Sequence, residues 1–297
     1  MCTPSWGLPF APFPEKESAM PKVLTEAAVE QYRRDGYCRP FSLLEPEDAA
    51  AIRGALERLE AEHGGPLKGT FRIKGHLLLR WMTDLVRNPR ILDAVEDLIG
   101  PDIMCWTSQW WIKEPRSPQY VSWHQDSNYW GLDTDHLVSA WIALSPATVE
   151  SGCMRFMPGS HLGPRLPHRE TWHDDNMLSR GQEISAGIDE AEAVNMEVAT
   201  GEAALFAYRL AHASHPNRSD DRRIGIAIRY MPPDARQTLS DWDSATLVRG
   251  EDRFGYFEHE PTPARDFDPV TVEFHKRTEL NHRRIVYQGT GLTEHRT

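Results

Sequence analysis

Trp123-His124-Gln125-Asp126-Ser127-Asn128-Tyr129-Trp130-Gly131 sets an imidazole and a carboxylate two residues apart within an aromatic stretch. In an extended segment, side chains at i and i+2 leave the backbone on one face, so His124 and Asp126 would point together at one metal ion. Two His and one carboxylate, with the opposite coordination face open, is the arrangement of non-haem Fe(II) oxygenases, so a second His is needed. His212 is the candidate. It follows Gly201-Glu202-Ala203-Ala204-Leu205-Phe206-Ala207, which reads as a turn and an apolar strand with the ligand at the strand's end. Downstream, Arg222-Arg223 introduces a strand over 224–230, where a guanidinium can hold a dicarboxylate through a bidentate fork.

Ligands this far apart in sequence require a fold that gathers distant strands at one place. From Ile103 onward, short segments broken by Gly, Pro and Asp carry Trp106, Trp110, Trp111, Val138 and Trp141, residues of high β propensity. Upstream, Thr25 is placed to cap a helix running to about Arg34, and 45–62 has the spacing of a second, with Ala50, Ile52, Leu56 and Leu59 as its buried stripe. A further helical region from about Leu77 to Leu98 is interrupted at Asn88-Pro89 and ended by Gly100-Pro101. This order predicts a mainly β fold with flanking helices and a double-stranded β-helix core, the jelly roll of the cupins. The expected organisation is a flexible tail over 1–19 and one domain over 20–297, with Met20 as an alternative start. Within that domain, helical support spans about 24–100, the jelly roll about 103–232, and a C-terminal extension 233–297 covers the barrel or a subunit partner.

Three blocks of this sequence resemble the phytanoyl-CoA dioxygenase family. They are His124-Gln125-Asp126; the strand Trp141-Ile142-Ala143-Leu144 with Glu150-Ser151-Gly152-Cys153 and Pro158-Gly159-Ser160-His161; and the run His212, Ser214, Asn217, Arg223. The similarity extends from about Leu24 to about Pro232, with His215 standing where many relatives carry Gly. The resemblance implies that His124, Asp126 and His212 hold iron. It also implies that Arg223, rather than Arg222, holds the far carboxylate of 2-oxoglutarate with help from Ser214. The activity implied is that of an Fe(II)- and 2-oxoglutarate-dependent dioxygenase using O₂. It would hydroxylate a small metabolite (a free acid, an amino acid-like or phosphonate-like molecule, or a natural-product intermediate) and release succinate and CO₂. Asp126 points to hydroxylation rather than chlorination, since related halogenases replace this carboxylate with a small residue. Desaturation and ring formation depend on how the substrate is posed. Trp141 and Gln109, the latter alternating with Trp111 on one strand face, are expected at the 2-oxoglutarate cavity. Asn128, Tyr129, Trp130 and Arg229 are expected toward the substrate.

Competing readings attach to several of these residues. A second triplet, His173-Asp174-Asp175, lies in a polar stretch without a strand pattern, His215 is an alternative to His212, and His161 more simply closes a turn. Arg229 shares a strand face with Arg223, and a structural ion pair at the barrel rim is its other reading. Two alternative functions use the same scaffold. One is a non-redox metal-dependent cupin, such as a Zn²⁺ hydrolase or isomerase, which has no need of a dicarboxylate clamp. The other is a catalytically silent binding protein, which has no need of three intact ligands.

Composition narrows the partners. The formal net charge is −11 over 297 residues, and no basic cluster gathers the Lys and Arg that phosphate backbones require, so a nucleic-acid partner is not expected. Cys2, Cys38, Cys105 and Cys153 form no paired framework. No apolar run is long enough to span a membrane, and no secretory pattern opens the chain. The expectation is a cytoplasmic monomer or homodimer acting on a small molecule.

Overall fold

The computed structural model describes residues 21–67 and 69–290. The expected tail over 1–19, and Cys2 with it, lies outside the described residues. Four helices precede the main run of strands: α1 (Glu26–Asp35), α2 (Pro46–Glu62), α3 (Arg80–Val86) and α4 (Pro89–Ile99). The Thr25 hydroxyl accepts a hydrogen bond from the Ala28 amide at 3.1 Å, and the Asn88 side chain accepts from Arg90 at 2.9 Å with Pro89 in the first helical turn. Each satisfies a donor that the helix itself leaves unpaired. In α2 the stripe is corrected by one residue: Ala49, Leu56 and Leu59 are buried, whereas Ala50 faces solvent. Ala49 stands seven residues before Leu56, two helical turns, so it shares that face. Ala50 is rotated off it by about 100°.

The strands are β1 (Tyr37–Ser42), β2 (Ile103–Lys113), β3 (Val121–His124), β4 (Val138–Ala143), β5 (Met154–Phe156), β6 (His168–Glu170) and β7 (Gln182–Ile184). They continue as β8 (Val194–Met196), β9 (Glu202–Ala207), β10 (His212–Ser214), β11 (Arg223–Met231), β12 (Ser244–Arg249) and β13 (Glu258–His259), and α5 (Pro269–Val286) follows. A seven-stranded sheet runs β1-β9-β4-β11-β2-β12-β13, a four-stranded sheet runs β3-β10-β5-β8, and β6 pairs with β7. Neighbours that are distant in sequence, mostly antiparallel, are the crossings of a jelly roll. Every residue of β4 and β11 is buried. The helices pack on one face of this sheet and the barrel interior covers the other, so both strands read as near-continuous apolar runs rather than alternating ones.

Register decides what lines the interior. On β2 the inward residues are Thr107, Gln109, Trp111 and Lys113, facing Arg229, Ala227, Gly225 and Arg223 of β11 in that order. The register shifts between Arg229 and Tyr230, leaving Trp106 as the extra residue of a bulge. Such a bulge redirects a side chain, and the Trp106 ring contributes to the cleft described below.

The C-terminal extension covers the barrel: β12 pairs with β2, and α5 packs across the mouth, where His275 hydrogen-bonds the Ile73 carbonyl at 2.8 Å. A buried polar knot ties this extension to the segment before α3. Glu260, whose side chain is fully enclosed, pairs with Lys74 and with His76 (2.9 Å), and accepts from Thr246 (2.6 Å) and Ser244 (2.8 Å). Burial alone raises the Glu260 carboxyl pKa, but the Lys74 charge and the His76 contact outweigh it and hold the group ionised well below the usual range. Glu260→Ala strands the buried Lys74 ammonium and leaves the His76 ring without its partner, and is expected to cost about 3–5 kcal/mol in urea unfolding. Because the folded pKa is depressed, the wild-type contribution should be complete above a carboxylate's ordinary pKa of about 4.3 and fade as pH falls below it. The stability difference between wild type and variant should therefore shrink on acidification.

Candidate metal centre and adjoining cleft

The two His ligands meet because β3 and β10 are paired in the minor sheet with His124 opposite His212. Their ring centroids lie 4.1 Å apart. β3 ends at His124, and Asp126 opens a short 3-10 turn after an extended Gln125, so the carboxylate still swings to the imidazole's side. His212 is placed differently from expectation. The apolar strand β9 ends at Ala207, and His212 begins the next strand, in the other sheet, after a turn through Tyr208 and Arg209. One ligand atom from each of His124, Asp126 and His212 lies within 4.8 Å of the others, and all three residues are buried.

The hydrogen bonding around these residues suits a cation. Each imidazole donates from Nδ1 to the carbonyl two residues back in its own chain, Ser122 for His124 and Leu210 for His212, both at 2.9 Å. With Nδ1–H committed, a neutral ring turns its Nε2 lone pair into the site. His124 Nε2 then faces Asp126 Oδ1 at 3.3 Å, two acceptors that a cation reconciles. Asp126 Oδ2 is buried without a hydrogen-bond partner. Burial and the neighbouring His124 push the His212 pKa down to about 3, so this ring is neutral and able to ligate. For Asp126, burial alone raises the pKa, but the adjoining His124 and His212 rings and the Arg229 guanidinium outweigh it, and the carboxylate stays ionised. Two imidazoles and one carboxylate are the donor set that fits ferrous iron.

The centre lies where two spaces meet. A small internal cavity is lined by His124 and His212 together with Trp141, Phe206, Ser214, Arg223, Ala227 and Arg229. Its far end is built for an anion. Arg223 is 1% exposed, its guanidinium stands over the Trp141 ring at 5.4 Å, and it donates to the Gly152 carbonyl at 3.0 Å, while its Nε has no partner. Two glycines make this arrangement possible. A Cβ on Gly225 would come within 2.1 Å of Trp141 Cζ2, and Gly152 has a φ of +73 with the His215 carbonyl 2.2 Å from where a Cβ would be.

Lys113 also stands at this end, unmarked in the sequence reading. Its Nζ donates to Ser214 Oγ at 2.7 Å and to the His215 carbonyl, leaving the Ser214 proton available to a ligand. Burial, and then the Arg223 charge, lower the Lys113 pKa to about 6. The alternation of Gln109, Trp111 and Lys113 along β2 was the signal that pointed inward to it.

The second space is a cleft of about 380 Å³ that reaches Asp126 and is walled by Trp106, Trp111, Tyr129 and Trp130, with His282, Val286 and Tyr287 closing it from α5 and its C-terminal end. Its size is that of a small-molecule site. Gln109 lines this cleft rather than the small cavity, whereas Trp111 borders both. Asn128 is turned aside to the Leu166 carbonyl and His168.

Arg229 is 2% exposed and forms no salt bridge among the described residues, so the structural ion pair is overturned. It lies over the Trp130 ring at 5.1 Å and donates to the Ala227 carbonyl, beside the metal ligands. The remaining histidines fall elsewhere. His173 packs its ring against Tyr120 and accepts from the Asp175 amide, His215 contacts Arg155, and His161 hydrogen-bonds the Arg33 carbonyl. Among the described residues no helix is long and apolar enough to cross a membrane.

Comparison with known proteins gives three kinds of match. The sequence model of phytanoyl-CoA dioxygenase matches residues 32–225, more than half of the chain. A probable alpha-ketoglutarate-dependent hypophosphite dioxygenase of Stutzerimonas stutzeri is 28% identical over 224 residues, covering 69% of this chain and 78% of that protein. Peroxisomal phytanoyl-CoA dioxygenase of Rattus norvegicus is 28% identical over 152 residues, covering 50% of this chain and 45% of that protein, so the match spans under half of the rat enzyme. Among solved structures, the apo form of the non-heme monooxygenase ThoJ aligns with a TM-score of 0.78 at 34% identity, covering 88% of this chain and 98% of ThoJ. CytC3 with Fe(II) and alpha-ketoglutarate aligns at 0.62 with 22% identity, covering 83% of this chain and 96% of CytC3, a likeness of fold.

Proposed function

The chain belongs to the phytanoyl-CoA dioxygenase family of Fe(II)/2-oxoglutarate-dependent dioxygenases, and we propose that it hydroxylates a small organic molecule, with release of succinate and CO₂. The observation that carries this reading is the junction. His124 and His212 face a small pocket ending in Arg223 and Ser214, whereas Asp126 faces the larger aromatic cleft. The Arg223 and Ser214 end of the first space suits one carboxylate of the cosubstrate, and the second space suits an organic substrate.

Bound Fe(II) with 2-oxoglutarate supplies the oxidising power that takes a hydrogen atom from the substrate and returns a hydroxyl group. The chain's own residues organise the site around that chemistry. His124, Asp126 and His212 would hold iron through three positions on one face. Arg223, with Ser214 and Lys113 behind it, would grip the distal carboxylate, and the Trp141 ring would form the cavity wall. Trp111, bordering both spaces, would keep cosubstrate and substrate apart, and the aromatic walls would exclude water from the reacting carbon. The S. stutzeri relative, 28% identical over 224 residues, is named for hypophosphite, a small inorganic anion. The 380 Å³ aromatic cleft argues for a larger organic substrate here. A CoA thioester fits poorly, because Arg222 is paired with Glu60 and Glu114 and the cleft lacks the cation cluster that a nucleotide tail would need.

The test is anaerobic titration of the purified protein with Fe(II) and 2-oxoglutarate. A visible metal-to-ligand charge-transfer band is expected, followed on oxygen exposure by succinate formation that a substrate stimulates. Folded, iron-loaded protein without the band would overturn the reading.

A further inference from the structure

Among the described residues, no carboxylate neutralises one of the guanidinium groups in the cleft. Arg72 ends a short 3-10 turn (Gly69–Arg72) that runs beside β2, held there by an isolated antiparallel bridge between Ile73 and Gln109, and it lines the cleft. Its hydrogen bond to the Trp110 carbonyl is a long one, 3.5 Å, and among the described residues no carboxylate pairs with it. The cleft's other charges are accounted for. Arg222 holds Glu60 at 2.7 Å and Glu114 at 2.9 Å, and Asp126 belongs to the metal ligands. Enclosure by the surrounding side chains lowers the Arg72 pKa, with no carboxylate counteracting it. A cation held in a concave aromatic space without a counter-charge is stabilised by an anionic ligand.

The walls describe the rest of that ligand. Trp130 has its ring already engaged, stacked on Tyr208 at 5.5 Å and covered by Arg229 at 5.1 Å. Trp111 has no ring or cation contact of this kind among the described residues and lines the cleft. An aromatic face left open at the boundary of the two spaces suits a planar group.

We propose that the substrate is an aromatic monocarboxylate, its carboxylate held by Arg72 and its ring laid on Trp111. A single unpaired cation beside two carboxylates already committed to Arg222 favours a singly charged acid over a phosphate dianion. The inference rests on the cleft being the substrate site of the proposed dioxygenase.

It is tested by calorimetric titration of the anaerobic Fe(II)/2-oxoglutarate-loaded protein with 3-phenylpropanoate, 4-hydroxyphenylacetate and 2-naphthylacetate, each beside its primary amide, and with 3-cyclohexylpropanoate. At least one acid is expected to bind about tenfold or more tighter than its amide, the scale of one charged hydrogen-bonded pair. That ratio should fall to near unity in Arg72→Leu and be kept in part by Arg72→Lys. Trp111→Leu should erase the preference for the phenyl over the cyclohexyl acid.

Equal binding of acids and amides, a preference that survives Arg72→Leu, or no saturable binding of any acid at millimolar concentration would overturn the proposal. So would a weakened charge-transfer band in Arg72→Leu with the acid preference intact, which would assign Arg72 to the cosubstrate. Loss of the band in the wild-type protein is a separate failure. It sinks the dioxygenase reading, while an acid-over-amide preference in the metal-free protein would still support Arg72.

Discussion

Asp126→Ala should lower hydroxylation by at least about a thousandfold, equivalent to roughly 4 kcal/mol of transition-state stabilisation, while leaving the fold intact. The physical case is the state of the carboxylate. Asp126 is buried, its Oδ2 has no hydrogen-bond partner among the described residues, and its Oδ1 stands 3.3 Å from a ring nitrogen that presents a lone pair when neutral. The carboxylate also offsets the buried Arg229 charge, so thermal unfolding of metal-free Asp126→Ala should occur at or somewhat below the wild-type temperature. Iron retention should fall, and a fraction of 2-oxoglutarate binding should survive through Arg223. The decisive comparison is product formed per bound iron, with the melting temperature as control. Wild-type turnover by this variant would remove Asp126 from the centre.

The second large effect separates two adjacent arginines. Arg223→Leu is expected to raise the 2-oxoglutarate concentration needed for half-maximal turnover by about 100-fold or more, the usual consequence of stripping one partner from a buried charge pair. Arg222→Leu should leave that requirement within about threefold of wild type and instead cost about 1–3 kcal/mol of stability. Strand alternation is the reason. Arg223 begins β11 pointing into the barrel, where Ser214 and Trp141 surround it, whereas Arg222 turns outward to Glu60 and Glu114. The two variants, measured side by side for cosubstrate dependence and urea midpoint, should show opposite profiles. Interchanged profiles would mean that the dicarboxylate lies outside the cavity to which Arg223 belongs.

Much of this site was legible because its determinants are local. His124-x-Asp126 places two donors on one side of an extended segment whatever surrounds it, and Asn88-Pro89 caps a helix through contacts within three residues. The inward sides of Arg223 and Arg229 follow from period-two alternation with Gly225 and Ala227 between them. The alternation that exposed Gln109 and Trp111 also reached Lys113, but a lysine at a strand's end reads by default as a solvated terminus. Only the enclosed Ser214 and Arg223 around it say otherwise.

Other features depend on contacts between segments far apart in the chain. An apolar strand before His212 suggested a ligand at that strand's end, yet β9 and β10 lie in different sheets, and it is the pairing of β10 with β3 that sets His212 opposite His124. Whether Arg229 has a counter-ion, whether Arg72 has one, and whether α5 closes the cleft are questions about which distant side chains arrive nearby, and no periodicity encodes them. The sequence by itself determined the ligand types, their facing directions and the strand-rich class, because these follow from backbone geometry within a few residues. The tertiary structure decided which ligands meet, which charges go uncompensated and how the cleft is walled, because those depend on sheet register and long-range packing.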